Sequence, residues 1–122
     1  MISIDRAKKL AYQGDINMLI IEAENCIDRV IEYEAANKGK LDFLIFEKSN
    51  PKGYHKPKGY HFDYEFRTTI KTLEPIQIET YRKRIVKAYR DEGYNAEYKQ
   101  EELDNGYDCY CFEIHGFIKK DK

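Results

Sequence analysis

Between Ile16 and Ile31 the residues Ile16, Leu19, Ile20, Ala23, Cys26, Ile27, Val30 and Ile31 recur at helical spacing, while Glu22, Glu24, Asp28, Arg29 and Glu32 occupy the remaining surface. A helix with so long an apolar face must be covered, so the rest of the chain has to supply a sheet or further helices to receive it. Asp15 is placed to cap it and Gly39 to stop it, which predicts a helix over 15–38. Ahead of it Ser3 caps a short helix over 3–13 that Gly14 ends. Met18 and Ile21 lie off the stripe and either pack beneath that short helix or face a partner. Cys26 lies within the stripe and reads as core packing.

Downstream the period changes. Residues 40–47 read as a strand with Leu41, Phe43 and Ile45 on one face and Leu44 and Phe46 on the other, a pattern that suits cover on both sides. Tyr60, Phe62, Tyr64, Phe66, Thr68 and Ile70 alternate with polar residues, which predicts a second strand over 60–72 with one buried face. The two would form a hairpin with a long loop at 48–59. Pro75 closes that strand, and Ile78, Tyr81, Ile85, Ala88 and Tyr89 mark a helix over 77–92 that Gly93 terminates. A last hairpin joins 94–99 to 107–118 through the turn signal Asp104-Asn105-Gly106. The expected fold is α+β: two helix-strand-strand units in one domain over 1–122, building a four-stranded, mainly antiparallel sheet with helices on one face.

The predicted loop contains a tandem copy, Pro-Lys-Gly-Tyr-His at 51–55 and again at 57–61, and no acidic residue lies between Lys48 and Phe62. Lys52, Lys56 and Lys58 can contact phosphates, and the rings of Tyr54, His55, Tyr60 and His61 can stack on bases. Glycine and proline there also suit simple turning, so the stretch reads either as an anion clamp or as a lengthened hairpin tip. On the following helix Lys83, Lys87 and Arg90 line up opposite the apolar face, as an anion-binding stripe or a solvated surface. Cys109, Cys111, Glu113 and His115 share one side of the last strand, but alternate strand residues stand nearly 7 Å apart, too far for a compact tetrahedral set. No metal or cofactor is expected. No phosphate-binding loop, dinucleotide fingerprint or nucleophile-base spacing is present, so no catalytic residue is assigned and an enzyme is not expected.

No run approaches the length of a membrane span, and Asp5, Arg6, Lys8 and Lys9 interrupt any apolar leader, so a cytoplasmic protein without membrane contact is expected. Three cysteines without framework spacing agree with a reducing compartment. The formal charge of −1 hides an asymmetry: residues 16–37 carry five acids against one arginine, whereas the loop and the helix over 77–92 are basic. That dipolar surface, eleven tyrosines and the two-sided strand at 40–47 suit a homodimer. The capped amphipathic N-terminal helix, the Lys/Glu/Ile/Tyr-rich composition and the run Tyr89-Arg90-Asp91-Glu92-Gly93-Tyr94-Asn95-Ala96-Glu97-Tyr98 before a closing aromatic strand resemble small accessory proteins of phages and prophages of low-GC bacteria. That resemblance implies a non-enzymatic binding protein, an inhibitor of a host or defence macromolecule, whose partner is a host protein or a protein–nucleic-acid complex. The alternative drawn from the loop is a nucleotide or single-stranded nucleic-acid binder.

Overall fold

A single helix, α1, runs from Ile4 to Lys38 in the computed structural model, which describes residues 1–39, 41–48, 59–102 and 108–118. Ser3 caps it by accepting the Arg6 N–H at 3.1 Å, and Gly39 ends it in the left-handed conformation at φ 66°. The expected break at Gly14, with a fresh cap at Asp15, does not occur. An interior glycine costs about 1 kcal/mol relative to alanine, less than losing the backbone hydrogen bonds that span it.

After α1 come β1 (Asp42–Phe46), β2 (Gly59–His61), α2 (Tyr64–Ile70), α3 (Pro75–Asp91), β3 (Tyr94–Glu102) and β4 (Asp108–Phe117). The strands form one sheet in the order β2-β1-β4-β3. β4 pairs antiparallel with both β1 and β3, setting Ile45 and Tyr98 on either side of Phe112. β1 and β2 run parallel, with Ile45 opposite Tyr60, so the sheet is mixed rather than mainly antiparallel. The hairpin expected from 40–47 and 60–72 is therefore replaced by a parallel pair, which a tight tip cannot join.

The expected strand over 60–72 is instead a three-residue strand followed by a helix. Phe62, Phe66 and Ile70 stand four residues apart, a subset of the period-2 pattern that also fits one face of a helix. Phe62 and Phe66 are buried and stack at 4.0 Å between centroids, whereas Tyr64, placed inward by the strand reading, is 72% exposed. Asp63 starts the turn that lets the chain leave the sheet. Pro75, read as the end of a strand, is the first residue of α3, where its fixed φ suits the helix and its missing N–H is not needed. Glu74 and Gln77 complete a reciprocal capping box around it.

The helices cover one face of the sheet. Ile16, Leu19, Ala23 and Ile27 of α1, Phe66 of α2 and Tyr81 and Ile85 of α3 join Phe43, Ile45, Phe112 and Ile114 in one buried cluster. Aromatic rings run through it in sequence, Phe66 to Tyr81 at 5.5 Å, Tyr81 to Tyr98 at 5.9 Å, Tyr98 to Phe112 at 5.9 Å and Phe112 to Tyr89 at 5.5 Å. The tyrosines thus build the core rather than only its rim, and their hydroxyls find partners: Tyr81 on Tyr98 at 3.2 Å, and Tyr89 donating to Asp28 at 2.7 Å. On the opposite face Leu44, Phe46, Cys109 and Cys111 form a second buried cluster. Leu44 and Phe46 are thereby buried within the chain, so the two-sided pattern of 40–47 needs no second subunit to cover it. No described helix is long and apolar enough to cross a membrane.

Candidate functional site

Tyr64, Arg67, Thr68 and Lys71 follow one another at helical i, i+3, i+4 and i+7 positions, so the folding of 64–70 as α2 brings all four to one side. That side faces α3 and the end of β1, and the space between is a cleft of about 640 Å³. Lys48 at the end of β1, Tyr110 of β4 and Arg82 and Ile78 of α3 complete its walls. Its lining holds four cations, Lys48, Arg67, Lys71 and Arg82, against one acid, Glu47.

That acid is already engaged. Arg82 donates from Nε to Glu47 Oε2 at 2.9 Å and from Nη2 to Oε1 at 2.6 Å, a two-pronged pair with Glu47 almost fully buried. The same guanidinium lies 3.6 Å from the centroid of the Tyr110 ring. Burial pushes the Arg82 pKa down, but the hydrogen bond and charge of Glu47 outweigh it and hold the group above its ordinary value, so it is charged throughout the working range. Arg82 and Tyr110 therefore form a fixed wall, while Lys48 and Lys71 have no ion-pair partner among the described residues. A pre-formed cleft of this size with aromatic and cationic lining suits a small anionic ligand that carries a planar group.

Lys83, Lys87 and Arg90, expected as a basic stripe, lie along a second, more open groove of about 620 Å³ between α3 and β3 that shares Arg82 and Tyr110 with the first. Their charges are partly answered: Lys83 pairs with Glu79 at 3.3 Å, Lys87 with Asp91 at 2.6 Å, and Arg90 Nε donates to the Ala96 carbonyl at 2.7 Å. Of the tandem copy, Lys52, Tyr54, His55, Lys56 and Lys58 lie outside the described residues. Tyr60 is in β2, where its hydroxyl donates to the buried Glu34 at 2.5 Å and its ring meets Phe43 edge-on. Burial first and Glu34 second push its pKa up, and a ring so tied is part of the packing rather than a stacking platform. His61 is exposed at the end of β2, with Nδ1 3.2 Å from the Phe62 carbonyl oxygen.

On the far face of the sheet His115 bridges two carboxylates, Asp42 from Nδ1 at 2.6 Å and the buried Glu113 from Nε2 at 3.1 Å, and Lys99 approaches Glu113 at 3.4 Å. Partial burial lowers the His115 pKa, but hydrogen bonds to Glu113 and Asp42 outweigh it and raise the group above its ordinary value. Among the described residues no group of three His, Cys, Asp or Glu side chains is arranged to hold a metal ion. Comparison with family models, with curated proteins and with solved structures returns no match for this chain.

Lys48, Tyr64, Arg67, Lys71, Arg82 and Tyr110 do not stand out as a set in the sequence, because the alternation over 60–72 predicts a strand, which throws alternate side chains to opposite faces. The signal was present in the spacing of Tyr64, Arg67, Thr68 and Lys71, which is a helical face.

Proposed function

We propose that the protein works by binding, and that the cleft between α2 and α3 takes an anionic ligand with a planar ring, of the nucleotide class, either free or as the end of a single strand. The observation that carries this reading is the lining of the cleft, in which four cations meet one acid already committed to Arg82. Lys48 and Lys71 supply phosphate contacts, Tyr64 and Tyr110 supply ring faces, and Arg82, held by Glu47, keeps Tyr110 in place. The groove with Lys83, Lys87 and Arg90 continues from the shared Arg82–Tyr110 wall, giving a longer strand a basic path. This reading fits the accessory-protein class that the layout resembles, with the protein occupying the nucleotide part of a protein–nucleic-acid complex in the host.

The test is a fluorescence anisotropy titration with labelled oligothymidylate, and in parallel with a labelled nucleoside diphosphate, at several salt concentrations. Single-strand binding should weaken steeply with salt through counterion release, and Lys48→Ala combined with Lys71→Ala should flatten that slope by roughly 1 to 2 in log–log terms. Tight oligonucleotide binding with weak diphosphate binding would favour the strand, and the reverse the free nucleotide. Absence of binding to both at low salt would sink the proposal.

A further inference from the structure

α1 carries a second apolar stripe on the side away from the core. Ile4, Ala7, Ala11, Gly14, Met18 and Ile21 follow at intervals of 3, 4, 3, 4 and 3 residues, and all six are exposed. That spacing is the heptad seam by which one helix packs along another. The stripe stops where Asn25 and Asp28 take the next two positions, so it has a defined length. The core-facing residues Ile16, Leu19 and Ala23 point elsewhere, which frees the seam from any task in the described fold.

Two further features call for a cover. Residues 1–11 are exposed throughout, so the first turns of α1 project beyond the body and rest on helix propensity with little tertiary support. Gly14 sits in the helix interior, where a Cβ would meet nothing within 4 Å, so the chain itself gives no steric reason for glycine there. A backbone from outside that approaches closely at the middle of the seam supplies one.

We propose that the seam is occupied by the same seam of a second copy of this chain, running antiparallel. The occupant is chosen by self-complementarity. Read in opposite directions, the stripe sets Ile4 against Ile21, Ala7 against Met18 and Ala11 against Gly14, so two large residues close each end, a small residue meets a large one inside them, and two small ones meet at the centre. The layers thus shrink from the ends toward a two-fold axis between Ala11 and Gly14, and the helices can approach closely there. On the flank the axis brings Lys8 of each copy alongside Asp15 of the other, opposite charges on both sides of the interface. The seam shares no residue with the cleft, so the dimer and the ligand reading stand independently.

Light scattering on the full chain tests this, together with Ala11→Glu, which places a charge at the centre of the seam on an exposed helical position. Wild type should have twice the mass of one 14.6 kDa chain at micromolar concentration and a melting temperature that rises with protein concentration; Ala11→Glu should be a folded monomer whose melting temperature does not. Direction is read by mixing Ala7→Cys with Met18→Cys chains under mild oxidation: antiparallel packing gives the mixed disulfide, and parallel packing gives only like-with-like products. A monomeric wild type up to its solubility limit, an Ala11→Glu protein that stays dimeric, or like-with-like cross-links would each overturn the proposal.

Discussion

Replacing Arg82 by methionine removes one half of a pair whose other half, Glu47, has a side chain only 7% exposed. Methionine keeps much of the aliphatic bulk, so the loss is chiefly that of charge: Glu47 keeps its burial and loses both guanidinium hydrogen bonds. Breaking a buried pair in this way costs about 3 to 5 kcal/mol. Arg82 itself is 21% exposed, so water can enter toward Glu47 and the lower end applies, about 3 kcal/mol. The lost contact with the Tyr110 ring adds about 1 kcal/mol at most. For a chain of 122 residues this corresponds to a fall in Tm of roughly 10 °C. Because most of the cost is the stranded carboxylate, the double variant Arg82→Met with Glu47→Leu should regain most of the loss, as apolar replacements of buried ion pairs commonly do. Urea titrations followed by circular dichroism measure both, with equal slopes confirming that only stability changed. A single variant that loses less than about 1 kcal/mol, the range of surface pairs, would refute the burial argument. So would a double variant as weak as the single one.

Gly59→Ala should destabilise by about 1 to 3 kcal/mol, since the added Cβ would stand 2.6 Å from the Phe46 ring and force it to move; an unchanged urea midpoint would show that β2 does not approach β1 so closely. Phe66→Ala should cost about 3 to 5 kcal/mol while Tyr64→Ala stays within about 0.5 kcal/mol, and equal losses at the two would favour a strand with both side chains inward over α2. His115 has its pKa raised in the folded chain, so its contribution is fully present below the unfolded value near 6.5 and fades as pH rises through the higher folded value. The stability advantage of wild type over His115→Gln should therefore shrink with rising pH above that point, and an advantage that grew instead would contradict the bridge to Asp42 and Glu113.

The elements whose pattern had one solution were legible from residues alone: the core stripe of α1 from Ile16 onward, its stop at Gly39, the helix of Tyr81, Ile85 and Tyr89, and the closing pair β3 and β4. Where two periods coincide, sequence could not choose. Phe62, Phe66 and Ile70 satisfy both a strand and a helix, and what decides between them is tertiary, the packing of Phe66 between the stacked ring of Phe62 and the tilted ring of Tyr81. That one ambiguity hid the cleft, because it scattered Arg67 and Lys71 away from Tyr64. Gly14 misled for a related reason: glycine reads as a helix end by propensity, yet here the helix continues through it. The basic stripe of α3 was readable because Lys83, Lys87 and Arg90 depend only on helical spacing, and the acids that answer Lys83 and Lys87 follow from the same i, i+4 spacing, whereas the β3 carbonyl of Ala96 that accepts from Arg90 depends on the tertiary fold.

Backbone amide shifts recorded by NMR during titration with a short oligothymidylate test the ligand reading most directly. Saturable shifts are expected at Lys48, along Tyr64–Ile70 and at Arg82 and Tyr110, with little change over the first turns of α1. Shifts confined to α1, or none at low salt, would contradict that reading.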